Sequence, residues 1–226
     1  MKLSIIIPAY NEEKRIGSTL TSIISYVKNK KFKHEIIVVD DGSTDNTREI
    51  VQKHKHIIMT KKRTNEGKGY SVREGVLMAQ GDYILFTDAD LSTPITELDT
   101  LLKFIKKYDI VIGSRALKGS KVTTSWYRRL LGRAGNSLIN LIGVKGIKDT
   151  QCGFKLFIGK AAKQLFRKQR IKRWGFDFEI LYLAQREGLK IKEVPITWNN
   201  AKGSKVTTFD YFRTLFELIR MRFAHI

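Results

Sequence analysis

The stretch GDYILFTDADLSTP, residues 81–94, decides the reading of the fold. Its apolar run, Tyr83 to Phe86, stops abruptly at two carboxylates one residue apart, Asp88 and Asp90. Pro94 then opens a helical pattern near 95–107. A short run with no alternation suits a strand covered on both faces.

The same pattern recurs outward on both sides. Apolar strands are expected at 3–7 (LSIII), 35–39 (EIIVV), 56–60 (HIIMT), 83–87 (YILFT) and 109–113 (DIVIG). Helices are expected at 12–29, where Ile16, Leu20, Ile23, Ile24 and Val27 share a face, at 44–54 behind a Ser43 or Thr44 cap, and at 67–80. Strands alternating with helices of this length predict βαβ units and an α/β fold with a mostly parallel sheet flanked by helices. Residues 122–142 and 207–226 read as basic amphipathic helices. In the first, Trp126, Leu130, Leu138 and Leu141 are apolar; in the second, Phe212, Leu215, Phe216, Ile219 and Phe223 line one face.

The chain has 226 residues, ample for one core, and 42% apolar content is that of a globular protein. Cys152 is the single cysteine, which excludes an internal disulfide framework and suits a reducing compartment. No signal peptide is visible, and no apolar run approaches the roughly 20 residues of a membrane span. Residues 1–112 hold 18 basic and 15 acidic side chains, whereas 113–226 hold 24 and 7. Most of the +20 net charge therefore lies in the second half, which points to an anionic partner there.

In open parallel sheets, ligands bind beyond the carboxyl ends of the strands. Those ends carry PAYNEE (8–13), DDGSTD (40–45), TNEGKG (64–69) and DADLS (88–92). Asp40 and Asp41 are placed to accept hydrogen bonds from a base or ribose. Asp88 and Asp90 would share a face of an extended chain, and two carboxylates so close need a cation between them or a shared proton. Oxygen ligands suit Mg²⁺ or Mn²⁺, and such ions commonly bridge carboxylates to substrate phosphates. A D-x-D alone is a weak signal. The G-x-x-x-x-G-K-[ST] spacing of a P-loop is absent, and no G-x-G-x-x-G follows the first strand. His34, His54, His56 and His225 form no metal-ligand pattern, and no nucleic-acid motif accompanies the basic charge.

Together SIIIPAYNEE (4–13), EIIVVDDGSTDNT (35–47), NEGKGYSVREG (65–75), GDYILFTDADLSTP (81–94) and DIVIGSR (109–115) resemble the inverting family 2 glycosyltransferases of GT-A fold. DTQCGFKLF (149–157), RWGFDFEILYLAQ (173–185), IKEVPITW (191–198) and GSKV (203–206) narrow the resemblance to polyprenyl-phosphate hexose synthases, of the dolichyl-phosphate glucosyl type. The resemblance implies one domain over 1–226, with a nucleotide-sugar half at 1–115 and an acceptor- and membrane-facing half at 116–226. It implies a nucleotide-diphosphate sugar donor, with UDP-glucose favoured, a polyprenyl phosphate acceptor, and residence on the cytoplasmic face of a membrane, bound from the side. Many relatives carry transmembrane helices at one end, and none is visible here.

Carried over to this chain, Pro8, Ala9, Tyr10 and Glu12 line the nucleotide pocket, Asp40 meets the base, and Lys68 lies near the nucleotide. Asp88, Ala89 and Asp90 form the metal and donor motif, with Asp90 the more direct ligand. Ser92 stands where mannosyl relatives often have Gln, which favours the glucosyl branch. Arg115 and Lys205 hold phosphates, and Arg128, Arg129, Arg133 and Lys205 receive the acceptor phosphate. Asp149 orients the sugar or one of those cations, or caps the DTQCG turn. Asp177 and Glu179 open a helix at the favourable end of its dipole. QRIKRW (169–174) misses the Q-x-x-R-W spacing of polymerising relatives by one residue. The rival readings are a family 2 transferase with a sugar acceptor, a mannosyl synthase using GDP-mannose, and a basic nucleic-acid-binding module. Oligomeric state is left open.

Overall fold

The computed structural model describes residues 1–124, 126–199 and 208–225. In chain order its elements are β1 (Lys2–Ala9), α1 (Ile16–Lys28), β2 (Lys33–Asp40), α2 (Thr47–Gln52), β3 (Ile57–Lys61), α3 (Lys68–Met78) and β4 (Tyr83–Thr87). A short 3-10 turn leads into α4 (Leu98–Leu102), followed by β5 (Ile110–Ser114), β6 (Lys121–Thr123), α5 (Trp126–Ile142) and β7 (Phe154–Ile158). The chain continues through α6 (Gly159–Lys168), α7 (Phe176–Arg186), β8 (Ile191–Pro195), β9 (Thr197–Asn199) and α8 (Thr208–Ala224).

Seven strands form one sheet in the order β3-β2-β1-β4-β7-β5-β8, and β6 pairs with β9 in a second, two-stranded ribbon. The five expected strands all form, and β1, β2, β3 and β4 run parallel. Alternate residues bury on opposite faces. Ile6, Ile37, Val39, Ile84 and Phe86 pack under α3, α6 and α7. Ile5, Ile7, Ile36, Val38 and Leu85 pack under α1 and α4. That double burial is why the strands read as continuous apolar runs.

Three outcomes differ from the sequence pattern, and in one of them the helix expected from 122 starts at Trp126, because Val122 and Thr123 belong to β6 and pair with β9. The helix expected to reach residue 107 ends at Leu102, and the chain continues in turns to β5. More consequentially, β7 inserts antiparallel between β4 and β5, with Thr87 opposite Phe154 and Ile112 opposite Lys155. An antiparallel strand starts where its parallel neighbours end. The insertion therefore delivers residues 149–153 to the carboxyl ends of β4 and β5.

From β1 the chain winds outward through β2 to β3, then returns to place β4 on the other flank of β1. The resulting switch point opens a crevice beyond the ends of β1 and β4. Two non-glycine residues at that crevice take left-handed backbone conformations, Asn11 (φ 53°) after β1 and Leu91 (φ 45°) after β4. Asn tolerates this region through its short polar side chain; Leu does so at a cost, and such outliers cluster at functional sites.

Candidate active site

Asp88 and Asp90 follow β4 in a tight turn, and they turn toward different cations. The Lys68 ammonium lies 2.6 Å from Asp88 Oδ1. Asp90 accepts the Ser92 N–H at 2.9 Å and lies 3.9 Å from Arg15 Nη1. Ala89, between them, is pinned by Thr19, whose hydroxyl donates to its carbonyl at 2.6 Å. Burial pushes the Asp88 carboxyl above its ordinary value, and the Asp90 and Asp177 charges add to this against the pull of Lys68. Burial works to lower the Lys68 ammonium, but Asp88, Asp177 and Asp90 together hold it above its usual value. This is an acid-rich pocket with its negative charge only partly neutralised. The two carboxylates are hard oxygen donors and fit a divalent cation. Among the described residues no three His, Cys, Asp or Glu side chains gather into a complete cage, so substrate oxygens and water would fill the remaining coordination.

Lys68 is placed by loops rather than by its own helix. Asp41, buried at the end of β2, accepts the Glu66 N–H at 3.0 Å and the Gly67 N–H at 2.8 Å. Gly67 has φ 109°, and a Cβ there would lie 2.6 Å from the Lys172 carbonyl oxygen. Only glycine fits that position. Of the two neighbouring acids, Asp41 thus orders the Lys68 loop. Asp40, with no exposed surface, receives Arg48 Nε at 2.5 Å and the Ser43 N–H at 3.2 Å.

Pro8 and Ala9 form the buried end of β1, and Tyr10 is exposed at the crevice. Glu12 is nearly buried and grips Arg15 with both oxygens, at 2.7 and 2.8 Å. Glu12 therefore acts on the pocket through Arg15.

On the other wall, Asp149 holds Arg115 in a bidentate pair, Nε at 2.7 Å and Nη2 at 2.8 Å, and also accepts the Arg115 backbone N–H at 2.8 Å. Asp149 thus orients a cation, and that cation is Arg115. Burial would raise the Asp149 carboxyl, but Arg115 holds it below the usual carboxylate range. The guanidinium stays one-third exposed, 5.5 Å from the Trp198 ring, with donors left for an anion. Glu193 supports the pair from beneath by accepting the Lys148 and Asp149 N–H groups at 2.9 and 3.0 Å.

The floor of the site was not anticipated. A Cβ on Gly153 would stand 2.0 Å from Asp88 Oδ2, so the Asp88 carboxylate occupies the space a side chain would take. Lys155, in the middle of β7, is 1% exposed and pairs with Asp177 while donating to the Cys152 carbonyl at 2.6 Å. A lysine inside the apolar run FKLFI was the visible sign of a buried partner. Burial pushes the Cys152 thiol up to about 12, which leaves it inert at neutral pH. Glu179 is fully buried and accepts the N–H groups of Arg170 and Ile171.

Lys205 lies outside the described residues, as do the side chains of Arg128, Arg129 and Arg133; the backbone of these three arginines lies in α5. α5 packs against α8. Around them Trp126 (78% exposed), Leu130, Leu141, Phe216 and Phe223 (70%) present apolar surface to solvent. No helix among the described residues is long and apolar enough to cross a membrane.

An α/β sheet with acids at its switch point, faced by two ordered cations, is the framework of a nucleotide-sugar transferase of GT-A fold. The glycosyl transferase family 2 profile matches residues 4–166, and the chain belongs to that family. A Trichomonas vaginalis protein named dolichyl-phosphate beta-glucosyltransferase ALG5D is 39% identical over 97% of this chain and 72% of its own length. The dolichyl-phosphate beta-glucosyltransferase of Homo sapiens is 37% identical over 92% of this chain and 70% of its own. Among solved structures, glucosyl-3-phosphoglycerate synthase from Mycobacterium tuberculosis, crystallised with Mn²⁺, UDP-glucose and phosphoglyceric acid, superposes with a TM-score of 0.76. It is 18% identical, and the match covers 98% of this chain and 79% of that one.

Proposed function

We propose that the protein transfers glucose from UDP-glucose to a polyprenyl phosphate, with inversion, to give a β-linked lipid-phosphate sugar. The observation that carries this reading is the set of ion pairs at one crevice, Asp88 with Lys68, Asp90 near Arg15 and Asp149 with Arg115, in a chain whose relatives are named dolichyl-phosphate beta-glucosyltransferases.

Asp88 and Asp90 would hold Mg²⁺ or Mn²⁺, which supplies charge neutralisation for the departing diphosphate. Tyr10, Pro8, Ala9 and the loop ordered by Asp41 form the wall of the donor pocket. Asp40 supports that wall through Arg48 and closes the base end. Lys68 and Arg115 sit on either side of the acids and stabilise the diphosphate as its negative charge grows, a contribution of several kcal/mol in such sites. Asp149 keeps Arg115 aimed, so no rotamer search accompanies the reaction. The acceptor phosphate is already an anion, and the site therefore needs no strong general base to form the nucleophile. What it needs is cations to bring a second anion beside the first. Arg128, Arg129, Arg133 and Lys205 are assigned that role. Residues 1–115 thus serve the donor, and 116–226 serve the acceptor. The exposed apolar residues of α5 and α8, flanked by arginines, lie on the cytoplasmic face of a membrane and bring the site to a lipid-borne acceptor.

The test is a transfer assay in detergent, with a short polyprenyl phosphate, Mg²⁺ or Mn²⁺, and radiolabelled UDP-glucose or GDP-mannose. Label extracted into the organic phase from UDP-glucose alone, and lost with EDTA, supports the reading. Label from GDP-mannose changes the sugar. A bound sugar nucleotide with no lipid label from either donor overturns the acceptor assignment.

A further inference from the structure

Residues 169–175, between α6 and α7, form a mould around Lys68. A Cβ on Gly69 would lie 2.6 Å from Phe176 Cβ and 2.9 Å from the carbonyl oxygens of Ile171 and Arg173. Gly67, on the other side of Lys68, abuts Lys172 as described above. The Tyr70 N–H donates to the Lys172 carbonyl at 2.9 Å, and Gln169 Nε2 donates to the Gly69 carbonyl at 2.9 Å. The Trp174 ring lies 5.0 Å from the Lys68 ammonium. Contacts this close leave no slack, so a shift of the segment carries the first turn of α3 with it.

The segment is gripped in turn by α8 and by the residue that follows it. Glu217 accepts the Gly175 N–H at 2.8 Å. His225 Nε2 lies 2.6 Å from Glu179 Oε1, and the two Glu179 oxygens accept the Arg170 and Ile171 N–H groups at 2.9 and 2.8 Å. Glu179 is fully buried, and the His225 side chain is 7% exposed. Hydrogen bonds to a buried carboxylate are the strong kind, and they hold one geometry.

We propose that Glu179, Glu217 and His225 are positioning residues of the donor site. They fix residues 169–175 and so set Lys68 against Asp88, and the seating of α8 on the body governs how the site holds its anionic ligand. The effect on the ligand rests on the reading of Lys68 as a donor-side cation; the mechanical link from α8 to α3 does not.

The test uses the full chain, with UDP and Mn²⁺ as probes. His225→Ala removes the partner of Glu179, His225→Gln keeps a side-chain N–H in its place, and Glu217→Gln weakens the grip on Gly175. Losing one charge-assisted hydrogen bond should weaken UDP binding about tenfold. KM for UDP-glucose should rise more than kcat falls, and amide exchange at Tyr70 should accelerate. His225→Gln should restore most of both. Unchanged UDP affinity in His225→Ala and Glu217→Gln overturns the proposal, even if Tyr70 exchange is faster, because the contacts are then a structural tether only. If the parent protein binds no UDP, the donor-site reading falls, and Tyr70 exchange and the acylation rate of Lys68 decide the link: faster in the variants upholds it, unchanged overturns it. Should His225→Ala not fold, Glu217→Gln carries the same readouts.

Discussion

Gly153 and Asp88 show how one missing side chain builds a site. The Asp88 carboxylate lies where a Cβ of residue 153 would be, 2.0 Å from its Oδ2. Gly153→Ala must push Asp88 away from Lys68, and overpacking of this kind typically costs about 1–3 kcal/mol. Thermal unfolding should show that loss together with a fall in transfer larger than the loss of fold explains. Asp90→Ala should instead leave Tm nearly unchanged and abolish turnover that depends on added Mg²⁺ or Mn²⁺; full activity in that variant would remove Asp90 from the metal site. Lys155 makes the converse point. It is buried against Asp177, and removing one partner leaves an uncompensated charge in the core. Lys155→Met alone is expected to cost about 3–5 kcal/mol in denaturant unfolding, and adding Asp177→Leu should recover much of it.

At the scale of elements, α5 and α8 carry apolar surface that none of the described residues covers. Trp126 and Leu141 on α5 and Phe216 and Phe223 on α8 are each more than 60% exposed. Large exposed apolar residues gathered on adjoining helices mark an interaction surface. Phe216→Ser with Phe223→Ser should change the unfolding free energy by no more than about 1 kcal/mol, because the residues lie outside the core. Sedimentation with vesicles containing anionic lipid should drop severalfold, and transfer to a short, water-dispersed acceptor should persist. Equal vesicle binding by the variant would refute the docking role.

For the molecule as a whole, the acids of the site pull stability in opposite directions with pH. Asp149 has a lowered folded value, so it contributes stability that is present above the ordinary carboxylate range, about 4, and lost as acid takes the pH down through the folded value. Asp88 has a raised value, so its ionisation costs stability as the pH rises through and above that range. Asp149→Asn should therefore flatten the acid limb of a Tm-versus-pH curve, whereas Asp88→Asn, which also strips the Lys68 ammonium of its partner, should destroy transfer. The site holds acids that a fold selected only for stability would not keep.

The sequence by itself determined the five core strands, the acids at their ends and the family, because both-face burial writes continuous apolar runs and short turns write Asp, Gly and Asn in fixed order. Asp88, Asp90, Lys68, Arg115 and Asp149 were all legible as candidates. Their partners were not. Pairing Arg115 with Asp149 spans 34 residues, and bringing Gly153 under Asp88 requires β7 to enter the sheet antiparallel between two strands that are neighbours in the chain's alternating pattern. Strand direction and sheet order leave no local mark on a sequence, since an apolar run reads the same both ways. The tertiary structure alone decided which cation each carboxylate holds, and that Glu217 and His225, distant in sequence, reach back through Gly175 and Glu179 to the 169–175 segment that packs around Lys68.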